Sequence, residues 1–185
     1  MDSPAERGHC LFTTAIGTCG IAWGSAGIVA VQLPDAGHEA TRQRLLRNAG
    51  EDLPAAEPAP HVQAAIAGVQ ALMAGERRDL LEVALDMGRV SDFHQRVYHF
   101  ARRIPPGQTR TYGEVAQALG DPQLARAVGQ AMGANPFAPI VPCHRVMAAG
   151  GKPGGFSARG GAVTKLRMLG IEGALAPDLF GPPGA

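Results

Sequence analysis

The sequence predicts an α/β chain in two parts, a small N-terminal α/β unit followed by a mainly helical unit built around a helix-turn-helix. Three observations lead there. Apolar runs flank a short Gly-bounded turn near the start, a helix-capping signature is followed at once by a second helix start near residue 111, and the charge balance changes sign between the halves. Residues 1–93 hold 7 basic and 12 acidic side chains, a balance of −5, whereas residues 94–185 hold 10 and 4, a balance of +6. Such asymmetry suits contact of the second half with a polyanion. Two solvated faces that merely attract each other would produce it too.

The elements follow in order. Ile21-Ala22-Trp23 and Ile28 to Val31, joined by Gly24-Ser25-Ala26-Gly27, read as a β-hairpin, and 38–48 reads as a short helix. Residues 50–60, rich in Pro, Ala and Glu, form a linker. Helical spacing of Val62, Ile66, Val69 and Met73 predicts a helix over 61–74, and Val83-Ala84-Leu85 a further strand. A helix beginning at Asp92, with Gln95 three residues on, aligns Val97, Phe100, Ala101 and Ile104 on one face. These pieces predict an N-terminal domain over 1–90, a second over 91–174, and a Pro-rich tail over 175–185.

Thr111-Tyr112-Gly113-Glu114 reads as a capping box, with Val115, Ala116 and Leu119 as the apolar face and Gly120 as the stop. Asp121-Pro122 then restarts a helix, with Asp as N-cap and Pro at the first helical position. That second helix, running to about Ala134, carries Ala125, Ala127, Gly129 and Ala131, so Arg126 is its only long charged side chain. A slim helix of this kind suits a groove, and it also suits close packing in a core. Residues 150–161 contain six glycines and predict a mobile loop that can approach a ligand closely. Val163, Leu166 and Leu169 mark a last helix.

Chemistry concentrates at Pro142-Cys143-His144-Arg145-Val146. Only the thiolate of a cysteine attacks carbon efficiently, and a neighbouring His or Arg lowers the thiol pKa by favouring that form. Cys143 has both directly after it. Read alone, the pair equally suits a buried inert thiol followed by two polar residues. Three cysteines, Cys10, Cys19 and Cys143, argue against a disulfide framework and for a reducing compartment. No apolar run is long enough to span a bilayer and residues 1–9 lack the form of a signal peptide, so a soluble, cytoplasmic protein is expected. His9, Cys10, Cys19 and His38 match no standard zinc spacing, and no metal is expected.

From about Asp92 to Gly173 the chain resembles the O6-alkylguanine-DNA alkyltransferases. The matching residues are Phe93 to Val97, Ile104-Pro105-Pro106-Gly107, Thr111 to Ala116, Ala125 to Gly129, Asn135-Pro136, Pro142 to Val146 and Gly155-Phe156-Ser157. The N-terminal half is similar to the family only in outline. The resemblance implies an RNase H-like N-terminal unit, a winged-helix-like C-terminal one, and double-stranded DNA containing O6-alkylguanine as partner, bound through the minor groove by a monomer. It also implies single-turnover transfer of the alkyl group to Cys143 after nucleotide flipping, with O4-alkylthymine as a second substrate and no soluble cofactor.

Roles follow from the same resemblance. Cys143 is the nucleophile, His144 the base acting through a water, Glu172 its orienting carboxylate and Asn135 the brace between helix and nucleophile. Arg126 fills the gap left by the flipped base, while Thr111, Tyr112, Ala125, Ala127 and Gly129 meet the DNA. Tyr112, Val146, Phe156 and Ser157 line the base pocket, Tyr112 donating to the guanine ring and the Ser157 backbone to O6. Phe156 stands where several relatives have Tyr. Some relatives hold zinc in the N-terminal half, at positions where this chain has Gly24 and Val29.

Three rivals remain on sequence grounds. A helix-turn-helix regulator would leave Cys143 and His144 idle. Non-catalytic alkyltransferase-like proteins carry Trp at the nucleophile position, against Cys143 here. A cysteine hydrolase would need an oxyanion hole and would turn over.

Overall fold

In a computed structural model, residues 6–175 are described. The expected tail, apart from Leu175, lies outside them, as do the first five residues of the chain. Three strands, β1 (Gly8–Thr14), β2 (Gly17–Gly24) and β3 (Gly27–Gln32), form an antiparallel sheet in that order. The expected hairpin is β2–β3, closing at Gly24–Gly27. β1 was not foreseen, because Gly8-His9-Cys10-Leu11 offers no clean alternation of apolar and polar side chains.

The sheet's two faces explain its composition. Helix α1 (His38–Ala49) lies over the face made of small residues, where Leu45 and Ala49 meet Ala22 and Ala30, and a Cβ on Gly20 would come within 2.9 Å of Leu45. Gly50 ends α1 in the left-handed conformation at φ 71°. Helix α2 (Pro60–Met73) covers the other face, where Cys19, Ile21, Trp23, Ile28 and Val31 meet Val62, Val69, Leu72 and Met73. Alternation along each strand thus sorts small from large side chains.

The free edge of β3 is covered by the 84–86 segment and by Pro136 of the second half of the chain. Ile28 N–H donates to Ala84 O (2.9 Å), Asp86 N–H to Ile28 O (2.8 Å), and Val31 N–H to Pro136 O (2.8 Å). The strand expected at Val83-Ala84-Leu85 is therefore corrected to a single parallel bridge between Leu85 and Ile28. Its pairing is cut short because Arg102 takes the carbonyls of Leu80 and Val83 at 2.7 and 2.9 Å.

Helix α3 (Asp92–Arg102) begins at Asp92 as expected, with Ser91 as its cap: Ser91 Oγ accepts from His94 N–H. Gln95 instead donates to Met87 O and Val90 O. The two-residue β4 (Arg110–Thr111) leads into α4 (Tyr112–Ala118), whose capping box is complete: Glu114 N–H donates to Thr111 Oγ1 (3.0 Å) and Thr111 N–H to Glu114 Oε2 (2.8 Å). The helix expected to restart at Pro122 opens as a 3-10 turn, Pro122–Leu124, before α5 (Ala125–Gly133). Asp121 caps Gln123 N–H and the Pro ring sets the tighter first turn. The chain then passes through a 3-10 turn at Cys143–Arg145 into β5 (Val146–Met147), which pairs in parallel with β4, and ends its described part with α6 (Ala162–Ile171).

A second core joins Val97, Tyr98 and Ala101 of α3 to Val115, Ala116, Val128, Ala131 and Phe137. The two cores are not insulated from each other. Ile140 and Met168 of the C-terminal half sit in the N-terminal core, and Ala138 and Phe156 touch both. Among the described residues no helix is long and apolar enough to cross a membrane.

The junction at β3 has a sharp steric requirement at Gly27. Its φ is 136°, and a Cβ there would lie 2.6 Å from Ala84 O. Gly27→Ala is expected to lower the unfolding free energy by roughly 2 kcal/mol or more, from backbone strain plus the clash. Urea denaturation measures this. A loss below about 0.5 kcal/mol would mean that the 83–86 segment is free to move away from the sheet.

Candidate active site

The nucleophile turn is fixed from three sides. β5 pairs with β4 in the register Arg110–Val146 and Thr111–Met147, which sets Cys143-His144-Arg145 beside the start of α4 and hence beside Tyr112. Asn135, just beyond the end of α5, spans the intervening loop: its Nδ2 donates to Val141 O (2.8 Å) and its Oδ1 accepts from Phe137 N–H (2.9 Å). From the third side, the end of α6 brings Glu172 under the turn.

Glu172 is the hub. Its Oε1 meets His144 Nε2 at 2.7 Å and also accepts from Arg145 Nη2 (2.7 Å), while Oε2 accepts from Arg145 Nε (2.9 Å). All three side chains are almost wholly buried. Burial works to raise the Glu172 pKa, but the bonds from His144 and Arg145 outweigh it and hold the carboxyl down at about 2. An ionised carboxylate only accepts, so Nε2 of His144 carries the proton in that bond. In neutral His144 the lone pair therefore sits on Nδ1, which is buried and has no hydrogen-bond partner in the protein. Burial pushes the His144 pKa down, Glu172 pulls against it, and the charges of Arg145 and Lys165 add to the depression. The resting imidazole is thus neutral, with a basic nitrogen to spare.

Cys143 is 3% exposed. Sequence reasoning expected His144 and Arg145 to lower its pKa, and the structure corrects this. Burial raises the thiol pKa, opposed by a hydrogen bond from Asn135 and by the charge of Lys165. Arg145 gives its remaining nitrogen to Ile104 O (2.7 Å) and is spent on structure.

Lys165 is the residue that sequence reasoning missed. Its ammonium donates to Val146 O (2.6 Å) and lies 5.7 Å from the Tyr112 ring centre and 6.0 Å from that of Phe156. Burial depresses its pKa to about 8, against the pull of the Cys143 thiolate. A signal was available: Lys165, Met168, Leu169 and Glu172 share one face of α6, so the lysine lies on the apolar stripe. Val163, read with Leu166 and Leu169 as a mark of this helix, is 75% exposed.

The remaining expected residues fall into two groups. Val146 shares the second core with Cys143, and Tyr112 and Phe156 pack against that core. Gly154, at φ 68°, passes so close to Tyr112 that a Cβ would lie 2.7 Å from its hydroxyl. The close approach expected of the Gly-rich loop is therefore made to Tyr112. Ser157 is exposed, and its carbonyl accepts from Arg44 of α1. On the opposite side of α5 from the core, Arg126 is exposed and makes no hydrogen bond or ion pair among the described residues. Ala125, Ala127 and Gly129 flank it, and nothing lies within 4 Å of where a Gly129 side chain would begin. Thr111 caps the adjacent helix.

The N-terminal His and Cys residues are occupied locally. His9 Nδ1 pairs with Leu53 O (2.8 Å), His38 Nε2 with Thr18 Oγ1 (3.1 Å), and burial raises the thiol pKa of both Cys10 and Cys19. Among the described residues no three His, Cys, Asp or Glu side chains gather as a metal site.

Comparisons with known proteins converge on one family. Residues 92–174 match the family model described as 6-O-methylguanine DNA methyltransferase, DNA binding domain. A Mycobacterium bovis protein named methylated-DNA–protein-cysteine methyltransferase is 47% identical over 113 residues, 61% of this chain and 66% of its own length, just under two thirds. A Thermus thermophilus protein named DNA base-flipping protein is 45% identical over 107 residues, 58% of this chain and 70% of its own length. The crystal structure of Mycobacterium tuberculosis OGT in complex with DNA superposes with a TM-score of 0.70 at 35% identity, covering 91% of this chain and 94% of that one.

The hub makes a testable demand. Glu172→Gln leaves Arg145 without its counter-charge and should destabilise the fold by about 3–5 kcal/mol. In the parent protein the Glu172 contribution is present above the ordinary carboxylate pKa of 4.5 and is lost as the pH falls toward about 2. Losing the carboxylate also disfavours the imidazolium that accompanies a thiolate, so the pH profile of Cys143 alkylation by iodoacetamide should move to higher pH, while Glu172→Asp moves less. The Cys143 peptide mass reads the reaction. A profile unmoved in Glu172→Gln would take Glu172 out of the thiol's charge network.

Proposed function

The chain belongs to the 6-O-methylguanine DNA methyltransferase family, and from that premise we propose that it repairs DNA by moving the alkyl group from O6 of an alkylated guanine to Cys143, once per molecule. The observation that carries this reading is the buried His144–Glu172 bond, which leaves Nδ1 of His144 as an unpartnered base on the residue directly after the buried Cys143 in the nucleophile turn.

A duplex hides the alkyl carbon in its base stack, so the nucleotide must first be extruded, at a cost of a few kcal/mol. Arg126 enters the gap, carried by a helix whose Ala125, Ala127 and Gly129 surface is thin enough for the minor groove, and Tyr112 and Thr111 at the start of α4 meet the adjacent backbone. His144 takes the Cys143 proton at Nδ1 through a water, and Glu172 stabilises the resulting imidazolium. The thiolate attacks the alkyl carbon in line: the S–C bond forms, the C–O bond breaks, and the electron pair leaves on O6. The Tyr112 hydroxyl and the Ser157 backbone N–H take up the charge developing on the ring, within a pocket walled by Val146 and Phe156. Asn135 keeps the recognition helix and the nucleophile in register. The thioether does not hydrolyse, so the protein is consumed. O4-Alkylthymine presents the same alkyl–oxygen bond and is the second substrate. The proton held by His144 passes to the departing guanine through water, so the reaction balances without a cofactor or metal.

The finer assignments belong to the same reading. They are an RNase H-like unit over 1–90, a winged-helix-like unit over 91–174, a tail over 175–185, and a monomer acting in the cytoplasm. A sheet held between α1 and α2, and a β4–β5 pair beside the α4–α5 hairpin, support the two fold assignments. A purely base-flipping role would suit the same surface but gives no work to a thiol set beside the His144–Glu172 pair.

Incubation with a duplex containing O6-methylguanine should add one methyl mass to the Cys143 peptide, with no more than one lesion repaired per protein. Cys143→Ala should bind duplex yet transfer nothing. Repair of many equivalents would overturn single turnover.

Arg126→Ala should slow transfer from duplex far more than from free O6-benzylguanine, which needs no flipping. Each ~1.4 kcal/mol of lost support reduces the flipped population tenfold. Equal losses on the two substrates would assign Arg126 to the pocket or the fold.

A further inference from the structure

Between residues 152 and 161 the chain has no regular secondary structure, yet this segment carries Phe156 and Ser157, two proposed walls of the base pocket. Its own backbone bonds are few: Ala148 N–H to Lys152 O (2.9 Å) and Gly161 N–H to Ala158 O (3.0 Å). Five glycines within 151–161 favour an ensemble of loop conformations over any single one.

Polar anchorage reaches the loop from the N-terminal half. Arg44, on α1, donates to Ser157 O and pairs with Asp35 Oδ2 at 3.2 Å. Arg159, in the loop, lies 3.8 Å from the other oxygen of Asp35. Asp35 is itself built in: Ala36 N–H donates to its Oδ1 (2.7 Å), and its own N–H donates to the buried Thr41 at 3.0 Å. One carboxylate thus gathers an arginine from α1 and one from the loop, and the first of these also holds the loop's main chain. A guanidinium suits this task because its planar fork can serve a carboxylate and a carbonyl at once.

We propose that Asp35 and Arg44 form a clamp by which the N-terminal half holds the 154–159 loop in its reactive shape, making Arg44 a positioning residue for alkyl transfer although it touches neither base nor thiol. This rests on the alkyl-transfer reading for its consequence, but not for the clamp itself. A loop that drifts by about 1 Å misplaces both walls of the pocket, enough to cost up to ~100-fold in rate.

The experiment compares wild type, Arg44→Ala, Arg44→Lys and Asp35→Asn as full-length proteins. Trypsin reports the loop directly, because Arg159 is 61% exposed and followed by Gly160, whereas Lys152 precedes Pro153 and resists cleavage. Arg44→Ala should accelerate cleavage after Arg159 with little change in Tm. It should also slow transfer from free O6-benzylguanine and from duplex by the same factor, about 10- to 100-fold, with affinity for undamaged duplex unchanged. Arg44→Lys, which keeps a donor for Ser157 O, should recover most of the rate, and Asp35→Asn should fall between. Unchanged cleavage after Arg159 overturns the clamp. Accelerated cleavage with unchanged transfer overturns its role in positioning, and a rate loss that follows a fall in Tm assigns Arg44 to global stability. If wild type itself transfers nothing to Cys143, the functional reading fails, and the cleavage result still decides the clamp.

Discussion

Three segments of the C-terminal half are tied together by one buried carboxylate. Glu172 accepts three hydrogen bonds from two consecutive residues of the nucleophile turn, and Arg145 passes the connection on to Ile104 O at the end of α3. A buried carboxylate with an incomplete set of donors would cost several kcal/mol and would protonate. Here the donors are sufficient, so the charge persists and the geometry is forced: α6, the Cys143–Arg145 turn and α3 cannot shift independently without leaving a buried ion exposed to low dielectric. The same bond selects the histidine tautomer. Structure and chemistry therefore share a single constraint, and the two roles cannot be separated by removing Glu172 alone.

The thiol's environment resolves an apparent contradiction. A nucleophile is expected to have a lowered pKa, yet burial raises that of Cys143. A permanently ionised thiolate on an accessible surface would be oxidised or alkylated indiscriminately. In the proposed mechanism the buried thiol keeps its proton until an electrophile occupies the pocket. On the proposed mechanism, ionisation passes the proton to His144 and creates an imidazolium already paired with Glu172, so the charge separation is met by fixed partners and not by solvent. Lys165 contributes from the other side through its position between the Tyr112 and Phe156 rings. With its own pKa pushed down to about 8, its support weakens above that pH.

Much of this was legible in the sequence because local rules carried it. The capping box at Thr111–Glu114, the stop at Gly120 and the hairpin turn at Gly24–Gly27 are decided by residues within a few positions of one another. The Cys143-His144 motif was legible as chemistry, but not its electrostatics. Arg145 looked like an activating neighbour because adjacency in sequence says nothing about direction, and its guanidinium turns away to Glu172. Lys165 was overlooked because a lysine is presumed to be exposed, although its spacing from Met168 and Glu172 put it on the buried stripe. The Val83–Leu85 strand failed for a different reason. Its apolar pattern suits a strand, but Arg102, distant in sequence, takes the nearby carbonyls and leaves only one bridge. Long-range polar contacts of this kind cannot be read from periodicity.

The charge asymmetry of the chain takes on a different meaning once burial is known. Of the ten basic residues after position 93, Arg102, Arg145 and Lys165 are buried, and they serve backbone carbonyls or Glu172. Their charges do not face a polyanion at close range. Arg96 is tied to Leu119 O, and Arg159 leans toward Asp35. Few unengaged cations remain for phosphates, which favours weak, readily reversed contact with undamaged duplex over tight non-specific binding. Under the proposed single-turnover reaction, weak binding keeps the protein available for damaged sites. On the proposed reading, binding rests on a small helix surface and one inserted arginine and becomes strong only where the base is easily extruded, which would delegate recognition to the instability of the damaged pair.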